Sequence, residues 1–147
     1  MTLHSYRERT LGVIPIRLAL GVLWLVGAHA MGLATAAAFL AFAVGVLGTT
    51  FAALNDPRAR FRREEAEPVD APPDAIVAPR WRQALAATLP STVGVSILAA
   101  VALVPQPTLA ALLGGVSAGL GLAALISVWS VDPSLYVDPK SHVVYRR

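Results

Sequence analysis

Two long apolar stretches dominate the pattern of hydrophobic and polar positions along this chain. Residues 18–55 are 38 consecutive positions without Asp, Glu, Lys or Arg, and residues 83–131 are 49 more. A transmembrane helix needs about 20 apolar residues to cross a hydrocarbon core of roughly 30 Å, so each stretch suits two crossings rather than one. The pattern predicts an all-α integral membrane protein with four transmembrane helices, arranged as two tandem helical hairpins.

Turn signals near the middle of each stretch divide it into two predicted spans. Pro105 and Pro107 flank Gln106 in the second stretch, and proline interrupts a helix because it lacks a backbone donor. Gly32, within GAHAMGL, marks the turn of the first stretch. The first predicted hairpin covers residues 1–56, with spans at about 10–29 and 33–54, and a cytoplasmic linker follows over 57–82. The second predicted hairpin covers 83–131, with spans at about 83–104 and 108–130, and an extended cytoplasmic tail follows over 132–147.

All charged side chains fall in three segments that the predicted topology places on one side of the membrane. The 12 Lys and Arg residues and the 9 acidic residues lie in the N-terminal segment, the linker and the tail, and neither turn contains one. Basic segments next to membrane spans stay in the cytoplasm, so both termini and the linker are predicted to be cytoplasmic. The heavy use of Arg, Ala, Val and Pro is typical of GC-rich bacteria, which indicates a bacterial cytoplasmic membrane.

The excess of basic residues in the chain indicates membrane topology rather than binding to nucleic acid. The net charge is +3 and the isoelectric point is near 10.0. Because the arginines flank membrane spans, their position accounts for this charge without a nucleic-acid partner.

Landmarks of the two hairpins recur at a nearly constant distance. Gly32 and Pro107 are 75 residues apart, and Asp56 and Asp132 are 76 apart. We interpret this spacing as one hairpin used twice in the same orientation, a parallel repeat. Two unrelated hairpins of similar length need similar turn residues, so both interpretations stay open. Each Asp is followed by Pro, a step expected to end the span and to cap a short surface helix.

Small residues recur at every fourth position in the second helix of each hairpin. Such stripes let helix backbones approach closely in lipid, so they predict helix packing, within one chain or between chains. A composition rich in Ala and Gly also produces stripes by chance. The predicted packing residues are Ala41, Gly45 and Thr49 in the first hairpin and Gly115, Gly119 and Ala123 in the second.

Arg17 is the one charged residue within reach of the predicted hydrocarbon layer. A charge at that depth is costly and is a candidate for a functional role. The favoured expectation is that its long side chain carries the guanidinium towards the headgroups. The alternatives are an ion pair with Asp56 or Asp132 at the cytoplasmic helix ends, or a bond to a lipid phosphate.

The residues that usually perform chemistry are scarce. The sequence has no cysteine, and its His, Asp and Glu residues do not cluster at metal-ligand spacing. We therefore expect no cofactor, no bound metal and no catalysis by this chain. Coupled carriers usually place a carboxylate near the middle of the membrane, and no predicted span contains one.

These observations favour a non-catalytic accessory, structural or assembly subunit of a larger membrane complex. The alternative is a small homo-oligomeric channel or transporter lined by Ser and Thr. In layout and length, the chain is similar to the small fourth subunit of actinobacterial cytochrome oxidases, with two hairpins and a linker that enters the membrane through APRW. This resemblance implies a respiratory complex. The expected partners are the lipid bilayer, together with other membrane subunits or further copies of this chain.

Overall fold

The computed structural model describes residues 2–56, 68–88, 91–130, 132–138 and 143–146, and it is mostly helical. A short 3-10 turn, Val128–Ser130, continues the last helix. The α-helices within the described ranges are α1 (Tyr6–Ala30), α2 (Thr35–Leu54), α3 (Arg80–Thr88), α4 (Ser91–Ala102) and α5 (Pro107–Ser127).

α1 begins earlier than the apolar pattern predicts, at Tyr6 rather than near residue 10. Ser5 is extended, and its Oγ accepts a hydrogen bond from the N–H of Glu8 at 3.4 Å. This bond satisfies a donor that the first turn of a helix leaves unpaired. The helix ends at Ala30, and Gly32 follows with a φ of +93°, a conformation that glycine adopts without steric cost. The first turn therefore lies within GAHAMGL.

The third predicted span is broken rather than continuous. The apolar pattern predicts one helix over about 83–104, whereas Arg80–Ala86 and Ser91–Ala102 are bent by 56° relative to each other. Residues 89–90 lie outside the described ranges, and the sequence has a proline there, a residue that interrupts helices. α4 has 12 residues. At 1.5 Å per residue it is about 18 Å long, so it cannot cross a core of roughly 30 Å alone.

The described helices support a membrane-embedded protein. Three of them, Tyr6–Ala30, Thr35–Leu54 and the extended last helix Pro107–Ser130, are long and apolar enough to cross a membrane. The number rises to four if the bent pair α3–α4 is counted as one span.

α5 occupies the centre of the bundle. It packs along α1 on one side and along α2 on another, and α4 also contacts it. Half of its most apolar window is buried, compared with 22% for α1 and 11% for α2. α1 and α2 are joined by a short turn but have few contacts with each other. The first hairpin is therefore held together mainly through α5.

The two hairpins do not pack as symmetric copies. Two-fold symmetry would match the contact between α1 and α5 with one between α2 and α4. The first contact is extensive, whereas the described residues of α2 and α4 have at most a marginal contact. The constant spacing of the landmarks is therefore not accompanied by a two-fold symmetric arrangement of the helices.

A small five-stranded sheet joins the N-terminal segment, the linker and the tail, and an all-α prediction did not include it. The strands are β1 (Thr2–Ser5), β2 (Val69–Asp70), β3 (Ile76–Val77), β4 (Leu135–Val137) and β5 (Val144–Arg146). Their order in the sheet is β2-β5-β4-β1-β3. β1 pairs antiparallel with β4 and parallel with β3, and its Leu3 is fully buried. The three charged segments therefore meet at one end of the bundle.

Candidate functional site

The predicted packing stripes of α2 and α5 lie against each other. A Cβ added to Gly45 would meet the carbonyl oxygen of Leu112, and one added to Gly115 would meet the carbonyl oxygen of Phe42. A Cβ added to Gly119 would also meet the backbone of α2, at 2.7 Å. None of these positions can take a side chain unless a backbone moves. The structure thus brings Gly45, Gly115 and Gly119 together in one seam between two parallel helices.

The other predicted packing residues flank this seam. Thr49 lies 3.0 Å from the position that a Gly119 Cβ would take. The neighbouring Thr50 donates a hydrogen bond from Oγ1 to the carbonyl oxygen of Gly119 at 3.2 Å. Ala41 is half-buried and Ala123 is buried, and they extend the same two helix faces by one turn. Close backbones joined by a hydroxyl are a common form of helix packing in membranes.

α5 makes a second close contact, with α1, that the stripes do not predict. A Cβ added to Gly21 would lie 2.8 Å from the carbonyl oxygen of Gly114, and the reciprocal distance is 2.9 Å. Gly121 contacts the side chain of Arg17, with a corresponding distance of 3.2 Å. Gly114 and Gly121 are seven residues apart, which is about two helical turns. Their spacing was the signal in the sequence for this second face.

Arg17 lies where α1, α4 and α5 meet. Its Nε donates to Thr92 Oγ1 at 3.0 Å, and its Nη2 donates to Ser91 Oγ at 3.4 Å. Its Nη1 donates to the carbonyl oxygen of Leu120 at 3.5 Å. The backbone carbonyl of Arg17 accepts a bond from Ser117 Oγ at 3.1 Å. Arg17 therefore ties the start of α4 to the middle of α5.

Neither of the two aspartates that were candidate partners contacts Arg17 in the described part of the chain. Asp132 Oδ1 accepts hydrogen bonds from the backbone N–H and the hydroxyl of Ser134, at 2.8 and 2.7 Å. These bonds, chiefly the one from the backbone, hold the pKa of Asp132 below its ordinary value. Asp132 does not cap a surface helix, because a turn leads from it into β4. The corresponding segment after Asp56 lies outside the described residues.

The 75-residue spacing has a direct counterpart in the contacts of α1. α3 packs along α1, and α4 has a few contacts with α1 further along. Because these contacts follow the same direction in both segments, contacting residues are separated by a nearly constant number of positions. The contacting pairs are Gly12 with Ala84, Arg17 with Thr92, and Gly27 with Leu103.

Polar contacts also connect the helices at the end that carries the sheet. Arg80 on α3 binds Glu8 on α1 through two nitrogens, at 2.7 and 3.0 Å. His4 on β1 is buried, and this burial lowers the pKa of its imidazole. Arg9 lowers the pKa further, and Asp138 opposes the change. The ion pair of Arg80 with Glu8 therefore joins the start of α3 to the start of α1.

The arrangement of His, Asp and Glu does not form a metal centre in the described ranges, where no three of these side chains are grouped. His29, at the opposite end of the bundle, lies in the last turn of α1. Its Nδ1 forms a hydrogen bond with the carbonyl of Leu33 at 3.1 Å. Arg17 and its two hydroxyl partners form a polar cluster within the apolar helices of the described ranges.

Comparisons with protein-family models, curated proteins and solved structures find no match to this chain.

Proposed function

We propose that this chain is a non-catalytic structural or accessory subunit of a larger membrane complex. The observation that carries the proposal is the packing of α5, whose two glycine faces are filled by the backbones of α1 and α2. Backbone contact of this kind fixes the distance between helices in lipid. A bundle built in this way suits a rigid support better than a moving or solvent-filled one.

The proposed topology is four spans in two hairpins, in a bacterial cytoplasmic membrane. The contacts of α1 with α3, with α4 and with Leu103, the residue after α4, extend from Gly12 to Gly27. These 15 steps correspond to about 22 Å along the axis of α1, which favours counting the pair as one span. The sheet joins the three charged segments, and their arginines favour a cytoplasmic position for all of them.

The outer face of α2 is an apolar surface that such a subunit would offer to a partner. In a bilayer, lipid chains cover a face of this kind, and the helices of a partner subunit can replace them. A respiratory complex is the partner class that the layout of the chain favours. The large side chains of this face, all 56–72% exposed, are Phe39, Leu40, Val44, Leu47 and Phe51.

A channel or transporter is the second candidate, and the break of the third span favours it. Transporters often form binding sites where a spanning helix is interrupted, and Arg17, Ser91 and Thr92 are polar residues at such a point. This candidate ranks second because the seams of α5 with α1 and α2 have no room for even one added methyl group at several positions.

Purification in mild detergent, followed by reconstitution in liposomes, tests the proposal. We expect the tagged full-length chain to bring down larger membrane proteins in a fixed ratio, and liposomes that contain the chain alone to show no ion or solute flux. A homo-oligomer that produces flux by itself would support the second candidate instead. A stable monomer without partner and without flux would contradict both.

A further inference from the structure

We propose that Arg17 and Ser91 form a binding site for the phosphate group of an anionic phospholipid, at the start of α4. Arg17 lies eight residues beyond Arg9, about 12 Å further along α1, within the apolar part of the helix. A guanidinium there needs an anion, because isolated charge in an apolar layer is costly. Within the described residues no carboxylate pairs with it, and Glu8 is held by Arg80.

The hydrogen bonds of the cluster leave donors for an anion. A guanidinium has five N–H groups, and Arg17 uses three of them, one on each nitrogen. The two that remain are on Nη1 and Nη2. The Ser91 hydroxyl oxygen accepts a bond from Arg17, so its own hydrogen is available to donate. Two guanidinium N–H groups and one hydroxyl match the oxygens of a phosphate, which the planar guanidinium binds well.

The surroundings of the cluster favour a lipid over a phosphate ion from solution. Ser91 is exposed at the surface of the bundle, and Arg17 is half-buried beside it. Ile16, next to Arg17 in sequence, and Val93, two positions after Ser91, are 37% and 41% exposed. In a membrane, exposed apolar side chains contact acyl chains. A ligand that combines a phosphate with acyl chains therefore meets both parts of this surface.

The test is titration of the delipidated full-length protein in detergent with phosphatidylglycerol, followed by native mass spectrometry. We expect the protein to bind one tightly held lipid per chain. Arg17→Gln should weaken that binding about tenfold or more, since it removes a charge-assisted contact. Ser91→Ala should weaken it about fivefold, since it removes a neutral donor at the surface. Arg82→Gln is the matched control, because Arg82 is an exposed cation stacked on Trp81 at 5.4 Å, and it should leave the affinity unchanged.

Further arms of the experiment separate the other outcomes. If Arg17→Gln does not fold, the lipid affinities of Ser91→Ala and Arg17→Lys test the site instead. Lysine keeps the charge but lacks the planar guanidinium, so Arg17→Lys should bind the lipid with intermediate affinity. Inorganic phosphate that displaces the lipid as effectively as phosphatidylglycerol itself would overturn the lipid as the ligand. Unchanged lipid affinity in folded Arg17→Gln and Ser91→Ala would overturn the site. The result is independent of the proposed accessory role, which co-purification and flux test separately.

Discussion

At the scale of single residues, two glycines of α2 have opposite surroundings. Gly45 is pressed against the backbone of α5, whereas nothing lies within 4 Å of a Cβ added to Gly48. We expect Gly45→Ala to lower the free energy of unfolding by about 1–3 kcal/mol, because the methyl group forces the helices apart. Gly48→Ala should be neutral or stabilise by up to about 1 kcal/mol, since alanine favours the helix.

Unfolding in mixed detergent and dodecyl sulphate micelles, followed by circular dichroism, measures both effects. The pair is well matched, because both positions lie on one helix, three residues apart. Equal free energies for the two variants would mean that the contact between α2 and α5 does not determine stability.

His4 should make the stability of the sheet depend on pH. Burial, with Arg9, lowers the pKa of its imidazole in the folded protein. The unfolded chain then binds the proton more tightly, so the contribution is fully present above the ordinary pKa of about 6.5 and is lost as the pH falls towards the lowered value. We expect a lower melting temperature at about pH 5 than at about pH 7.5. His4→Gln should remove most of the difference, and an equal decline in both proteins would contradict this role.

At the scale of elements, the contact between α1 and α3–α4 decides how the third span is positioned. The chain has no cysteine, so introduced pairs report on contacts without background. A Cβ at Gly12 would lie 2.7 Å from the Cβ of Ala84. Since disulfides join Cβ atoms about 3.8 Å apart, Gly12→Cys with Ala84→Cys should cross-link after a slight separation of the helices.

The control pair for this cross-link is Gly48→Cys with Gly94→Cys. Neither position has an atom within 4 Å of an added Cβ, so we expect no disulfide within one chain. Non-reducing electrophoresis after mild oxidation measures disulfide formation in the test pair and in the control pair. A cross-link in the control pair but not in the test pair would mean that the third span lies elsewhere.

At the scale of the whole molecule, the sheet requires the N-terminal segment, the linker and the tail to lie on one side of the bundle. We predict that this side is cytoplasmic. Met31→Cys and Gln106→Cys lie at the opposite turns and should react with a membrane-impermeant maleimide in intact cells. Ser134→Cys, on the exposed turn before β4, should react only after the cells are permeabilised. Reaction of Ser134→Cys in intact cells would reverse the orientation.

The amino-acid sequence by itself determined that the chain has apolar helices able to cross a membrane, because about 20 apolar residues without a charge have no comparable alternative in water. It also marked the turn at Gly32, since a positive φ favours glycine. The packing glycines of α2 and α5 were readable as stripes, because their spacing of four is a property of one helix.

Only the tertiary structure decided which partners these elements have. It placed α5 between α1 and α2, broke the third span and assembled the sheet from short strands that are far apart in the sequence. It also gave Arg17 hydroxyl partners on α4 in place of the two aspartates. Periodicity describes contacts within one element, whereas these outcomes depend on contacts between residues up to 133 positions apart, which local patterns do not encode.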